Sequence, residues 1–286
     1  MDPTLDGKVI LLTGATEGIG KAAALALAGR GATLTLVGRD REKTERVVGE
    51  LAAASKNPNL DFLIGDLSRP AEARAVAAEF KSRRDRLDVL VSNAGALFAT
   101  HQRTPDGFER TFALNHLSYF VLARELIEML AKTPGSRVVS TSSAAHRSGH
   151  LDLETIATRP SGRAGFPAYC DSKLCNILFT RELARRVADR GVTANCFHPG
   201  FVRSGFGLNN KGLLKAGVKI AGALFARTPE KGAETQVWLA SSPEVAQISG
   251  EYFADKKIAR TTRLAKDDAL AGKLWEFTEG LLSKIG

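Results

Sequence analysis

The sequence predicts a doubly wound α/β fold, a parallel sheet with helices on both faces. Three observations predict it. Short apolar runs alternate with helical stretches, the first run ends in a glycine-rich turn that opens a helix, and no linker or internal repeat divides the 286 residues. Strands buried on both faces read as continuous apolar runs, the pattern of a parallel sheet covered by helices.

The elements follow in order. Residues 9–12 are a short apolar strand running into glycine turns, and 19–28 form an Ala- and Leu-rich helix. Residues 33–37 are β-branched and apolar, as a strand favours, and 41–54 are helical with a polar face. Residues 60–64 read as a strand, 71–80 as a helix, 88–91 as a strand and 108–130 as a long helical stretch. A strand at 137–141, a helix at 168–188 and a strand at 192–197 continue the alternation. Residues 229–239 should be helical and 250–253 a last strand. The tail, 254–286, says least; 264–282 reads as a helix whose Trp275 and Phe277 would pack on the body. The reading is one domain spanning 1–286.

Two segments break the rhythm, 146–166 and 201–227, and both follow strands. Long loops in a compact fold are usually functional, and ligands of open α/β sheets bind beyond the carboxyl ends of the strands. Residues 201–228 carry Phe201, Phe206 and Leu208 among further apolar residues, with Lys211, Lys215 and Lys219 recurring every four. They read as a lid over a lipophilic substrate, as a basic amphipathic helix making peripheral contact with a membrane, or as a surface helix with a solvated lysine face.

The formal net charge of +9 suits an anionic partner or a merely solvated surface. The basic residues are scattered, without the aromatic-interleaved stripe that single-stranded nucleic acid needs, so a nucleic-acid partner is not expected. Cys170, Cys175 and Cys196 suit neither a disulfide framework nor a zinc site, and no metal is expected. No signal peptide and no apolar run of about 20 residues is seen, so the expectation is a cytoplasmic protein without a transmembrane span.

Thr13-Gly14-Ala15-Thr16-Glu17-Gly18-Ile19-Gly20 joins the first strand to the first helix. Gly14 permits a tight turn, Gly18 lets backbone approach a pyrophosphate, and Gly20 lets helix pack closely on strand. The helix N-terminus offers N–H groups to phosphates. The second strand then ends Gly38-Arg39, where a site selective for NAD would carry an acidic residue. Arg39 suits a 2′-phosphate, with Lys43 one turn beyond, whereas Asp40 argues the other way if it turns inward.

Tyr169 and Lys173 stand four apart and share a helix face. An ammonium beside a phenol favours the phenolate and lowers its pKa from about 10, making the tyrosine an acid–base group. Ser142 and Ser143 follow the strand at 137–141, Asn115 interrupts an apolar helix, and Asn93-Ala94-Gly95 closes another strand.

Together these residues resemble the short-chain dehydrogenase/reductase superfamily. TGATEGIG at 13–20, NAG at 93–95, Asn115, the serine pair, YCDSK at 169–173 and HPGFVRS at 198–204 stand in the family's order, and the likeness extends to the last strand. Residues 115–120, 142–146 and 169–186, with the long insertion between Ser143 and Tyr169, are similar to the retinol dehydrogenase-like branch. The resemblance implies a Rossmann-like fold, NADP(H), and hydride transfer to or from a lipophilic aldehyde, ketone or alcohol, with reduction favoured. Many members of that branch carry an N-terminal membrane anchor, which this sequence does not show, and that weakens the transfer of both a membrane location and a retinoid substrate.

By this resemblance Tyr169 is the general acid/base, Lys173 holds the nicotinamide ribose, Ser143 binds the substrate oxygen and Asn115 holds a water in the proton path. Thr16, Glu17 and Ile19 border the phosphates with Gly14, Gly18 and Gly20, and Asp66 and Leu67 flank the adenine. Asn93 contacts the adenosine side, Ala94 and Gly95 bring backbone close, and Pro199, Gly200 and Val202 border the nicotinamide. Ser204 stands where many members have threonine. The resemblance also suggests a homodimer through the helices at 108–130 and 168–188. The rival reading is a non-catalytic NADP(H)-sensing protein on the same fold, since fold alone does not make an enzyme.

Overall fold

The computed structural model, which describes residues 4–202 and 227–285, places the apolar runs of the sequence side by side in one sheet. Its strands are β1 (Val9–Thr13), β2 (Thr33–Gly38), β3 (Leu60–Ile64), β4 (Val89–Ser92), β5 (Arg137–Thr141), β6 (Thr193–Phe197), β7 (Tyr252–Ala254) and β8 (Lys257–Ile258). Their spatial order is β3-β2-β1-β4-β5-β6-β7-β8. All neighbours are parallel except β7 and β8. The order reverses between β1 and β4, so the connections leaving these two paired strands run to opposite sides and open a crevice at their carboxyl ends.

Alternation along the central strands explains the two layers. Ile10 and Leu12 of β1, with Leu34 and Leu36 of β2, face helices α1 (Gly18–Ala28) and α2 (Arg41–Ser55) through Ala23, Ala24, Leu27, Val47 and Leu51. Val9 and Leu11 face the opposite side, where α3 (Pro70–Arg83), α5 (Ser118–Ala131) and α6 (Phe166–Arg186) supply Phe80, Phe120, Leu126, Phe179 and Leu183. A fully buried Leu12 is worth about 1.5–3 kcal/mol over an exposed one. Helix α7 (Pro229–Ser241) joins the first layer, with Thr228 capping Lys231 N, and α8 (Asp268–Ser283) packs outside α6.

Three elements differ from the sequence expectation. The long helix begins at the short α4 (Arg110–Phe112), widens into a π-helical turn at Ala113–Leu117 and continues as α5. The buried carboxylate of Glu109 starts it by accepting from Thr111 N and Phe112 N. The last strand sits at Tyr252–Ala254 and turns back into β8 through Asp255 and Lys256, both at positive φ. The tail helix begins at Asp268 instead of 264, because Asp267 caps it by accepting from Leu270 N. Trp275 and Phe277 do pack on the body.

Candidate active site

The glycine turn stands at the carboxyl end of β1, beside the crevice. Gly14 has φ +67, and a Cβ there would lie 2.7 Å from Ala94 Cα. A Cβ on Gly20 would overlap Gly14 O, so α1 lies against the turn only because residue 20 is glycine. Thr13 and Asn93 brace this contact. Thr13 Oγ1 accepts from Asn93 N at 2.9 Å and Ala94 N at 3.0 Å. Asn93 Nδ2 donates to Thr13 O and Gly14 O at 3.0 and 3.1 Å, and its Oδ1 accepts from Thr141 Oγ1 at 3.3 Å. The Asn93 amide is therefore spent inside the protein, holding the turn. Glu17 stands at the N-cap of α1 without a side-chain cap bond. Thr16, Gly18 and Ile19 are half-buried along the same turn.

Beyond β2, Arg39 is exposed and makes no ion pair among the described residues. Asp40 is engaged at the start of α2. Its carboxylate caps α2, accepting from Lys43 N at 2.9 Å. Lys43 reaches back to Glu17, Nζ to Oε2 2.6 Å. Past β3, Asp66 Oδ1 accepts from Ser68 N and Oγ, and the Leu67 side chain lies in the core.

Tyr169 and Lys173 lie one turn apart on α6, both buried. Lys173 Nζ donates to Thr141 O at 2.9 Å and stands 5.7 Å from the ring centroids of both Tyr119 and Tyr169. The two serines part company. Ser142 is buried and donates to Lys173 O at 2.8 Å. Ser143 is half-exposed, caps Ala145 N at 3.2 Å and hydrogen-bonds to Tyr169. Asn115, in the π-helical turn, accepts from Ala96 N at 2.9 Å and donates to Ala96 O and Ser172 Oγ, each at 3.0 Å. Gly95 fits between: a Cβ there would lie 3.2 Å from Asn115 Oδ1 and 3.4 Å from Lys173 Nζ. Asn115, Ser143, Tyr169 and Lys173 thus form one cluster, next to the backbone of residues 93–96.

The charge balance of this cluster corrects the sequence expectation. Burial pushes the Tyr169 phenol up to about 12, against the lowering effect of the Ser143 hydrogen bond. Burial pulls the Lys173 ammonium down to about 7. A dry seam penalises the charged form of both groups, and that outweighs the expected lowering of the Tyr169 pKa by its neighbour.

Pro199 and Gly200 follow β6, where Gly200 has φ +79 and donates its N–H to His198 Nδ1 at 3.1 Å. Val202 bridges to Arg227 and crowds Gly232 of α7 together with Ile19, so a small residue at 232 brings α7 against the start of α1. Gly232, Thr141 and Tyr119 are not singled out by sequence, and Thr13 only as the first residue of the glycine motif; Gly232, a glycine inside a helix, carries a local signal. Ser204 and most of the expected lid at 201–228 lie outside the described residues. The segment between Ser143 and Tyr169 is pinned to α6 by Asp171, which accepts from His150 N and from Arg159 Nη2, each at 2.6 Å, in a buried ion pair. Among the described residues no helix is long and apolar enough to cross a membrane.

Comparison with known proteins places this geometry. The short chain dehydrogenase family profile matches residues 8–213. Human retinol dehydrogenase 14 is 37% identical over 99% of this chain and 89% of its own length. A Streptomyces sp. (strain C5) protein, provisionally named daunorubicin C-13 ketoreductase DnrU, is 39% identical over 95% of this chain and 91% of its own. A solved short chain dehydrogenase from Shigella flexneri 2a, complexed with NADP, superposes with a TM-score of 0.71 at 25% identity, covering 90% of this chain and 100% of that one.

Proposed function

The chain belongs to the short-chain dehydrogenase family, in its retinol dehydrogenase-like branch, and from that premise we propose that it is an NADP(H)-dependent oxidoreductase acting on the carbonyl or alcohol carbon of a lipophilic small molecule, with aldehyde or ketone reduction favoured. The observation that carries the reading is the single cluster of Asn115, Ser143, Tyr169 and Lys173 beside the glycine turn. The residues fit a dinucleotide: at Gly14, Gly20 and Gly95 a Cβ would crowd the turn and the cluster, and Arg39 is an exposed cation beyond β2. In this reading the turn and the start of α1 hold the pyrophosphate. Arg39 meets the 2′-phosphate with its planar fork, and Pro199, Gly200 and Val202 border the nicotinamide.

When bound, the nicotinamide supplies the hydride. The chain supplies the proton and the geometry. Tyr169, with its pKa raised to about 12, is a neutral phenol at physiological pH and donates its proton to the substrate oxygen as the carbon is reduced. Ser143, hydrogen-bonded to Tyr169, donates to the same oxygen and stabilises the charge that develops there. Lys173 holds the ribose and steadies the phenolate left behind, and Asn115 holds a water on the path by which the proton is replaced.

The test is oxidation of NADPH and NADH against a panel of lipophilic aldehydes and ketones, with Tyr169→Phe beside the wild type. Turnover that collapses in Tyr169→Phe is the expected result; tight NADPH binding without turnover would favour a sensor, and no cofactor binding would sink the reading. Arg39→Ala should weaken NADPH binding by about 10- to 100-fold, the scale of a lost charge-assisted hydrogen bond, and leave NADH unchanged.

A further inference from the structure

The residue after Asn115 is a histidine that touches α6 through Asn176, whose amide donates to the same Thr141 carbonyl as Lys173, and the C-terminal helix through a second contact. His116 is fully buried. Its ring centroid lies 5.2 Å from that of Phe112 and 6.1 Å from that of Phe179. Its Nε2 lies 3.3 Å from Oγ1 of Thr278, a residue of α8 that is itself fully buried. The Thr278 hydroxyl donates its one hydrogen to Leu274 O at 2.7 Å. Its oxygen is left to accept, which places the imidazole proton on Nε2. Two buried polar groups 162 residues apart in sequence therefore meet through Nε2, and Asn176 is the other polar neighbour of the imidazole. Around them, Trp275 stacks on Phe179 at 5.9 Å and meets Phe120 at 4.6 Å, so α8 is seated on both α5 and α6 at this point.

A π-helical turn is a local interruption in the α-helical ladder and depends on its surroundings to persist. This one has a catalytic-cluster side chain on one side and the His116 contact on the other. Displacement of the turn carries Asn115 with it. Asn115 holds both backbone groups of Ala96, and the adjoining Gly95 stands against Lys173. We propose that the Thr278–His116 hydrogen bond is a positioning contact, which holds the turn Ala113–Leu117 in register with Tyr169 and Lys173 and makes the C-terminal helix a working part of the reaction centre. The inference rests on the reading of Asn115, Ser143, Tyr169 and Lys173 as that centre.

The full chain is compared with Thr278→Val, which keeps the shape and removes the oxygen, and with Thr278→Ser, which restores it. Turnover of the best carbonyl substrate, NADPH affinity and amide hydrogen exchange at residues 113–117 are read together. The expected result for Thr278→Val is a kcat lowered by about 10- to 100-fold, the scale of a misplaced catalytic group, with KM and NADPH Kd within about twofold of wild type. Exchange at 113–117 accelerates, and Thr278→Ser recovers both readouts. Unchanged exchange at 113–117 overturns the proposal, as does a loss of kcat that Thr278→Ser fails to recover. If the wild type turns over no carbonyl, the functional reading falls and exchange alone decides: faster exchange supports the brace and unchanged exchange overturns it.

Discussion

Burial moves Tyr169 and Lys173 in opposite directions, and each shift has a measurable consequence. Lys173 is held at about 7 in the folded chain, whereas an unfolded chain binds that proton up to the ordinary 10.5. The folded state thus binds fewer protons between those values, so stability rises as pH climbs from about 7 to 10.5. Lys173→Met should therefore stabilise the protein at pH 7 by on the order of a few kcal/mol, and the gain should vanish towards pH 10.5. Denaturant melts at the two pH values check this, and the same variant should lose turnover, the trade between stability and a poised active site. Activity responds with the opposite sign. The ammonium is present below about 7 and lost above it, while Tyr169 keeps its proton to about 12. The value of kcat/KM for NADPH in carbonyl reduction, which reports the free protein, should fall as pH rises through about 7. A profile that stays flat to pH 9 would contradict it. His116 adds a second pH effect: burial holds its imidazole at about 3, so it is neutral when folded and charges only on unfolding. Stability should fall as pH drops below 6.5, with a slope of up to about 1.4 kcal/mol per pH unit from this group, and His116→Gln should flatten that slope.

At the scale of elements, the glycine turn and the first helix form one unit whose spacing is set by absent side chains. Gly20→Ala drives a Cβ into Gly14 O and within 2.6 Å of Asn93 Nδ2. The helix must retreat, at a cost of about 1–3 kcal/mol, and NADPH affinity should fall by at least tenfold. Gly49→Ala is the control: it lies on the exposed side of α2 with open space around it, and should stabilise by up to about 1 kcal/mol without touching cofactor binding. The alternation that built this sheet was legible because β-strands buried on both faces are bare apolar runs, and the readings at 60–64 and 137–141 match the strands residue for residue. The π-helical turn was not legible, since one extra residue in a helix barely disturbs an apolar pattern that is nearly continuous from 112 to 126. Nor was β8, whose two-residue turn uses Asp255 and Lys256 in the left-handed region in place of the Asn-Gly that announces a hairpin. In the site, helical spacing was enough to pair Tyr169 with Lys173. Spacing does not report how dry their surroundings are, so spacing alone predicts the wrong direction for the Tyr169 shift. The carbonyl of Thr141 and the hydroxyl of Thr13 act through contacts that only the assembled sheet creates.

Across the whole molecule, the C-terminal helix changes what the outer helices can do. The family resemblance suggests a homodimer through the stretches at 108–130 and 168–188, whose main helices are α5 and α6. Within one chain, α8 already lies on both: Trp275 is buried between Phe120 and Phe179, and Arg186 stacks over its ring at 4.6 Å. Leu282 continues the seam toward α3, where Arg74 Nη2 donates to Leu282 O at 3.0 Å. A large aromatic held this way is worth keeping, and Trp275→Ala should cost about 3–5 kcal/mol, read as a lowered denaturation midpoint with an unchanged slope. A partner would have to displace α8 to use the surface beneath it, losing that burial before gaining any of its own. The full chain should therefore sediment at the monomer mass of 30.6 kDa. A mass of twice that value would mean that two copies meet through some other surface, and Trp275→Ala would then distinguish the cases: an interface built on α8 weakens with the substitution, whereas one remote from it keeps its affinity while each subunit loses stability.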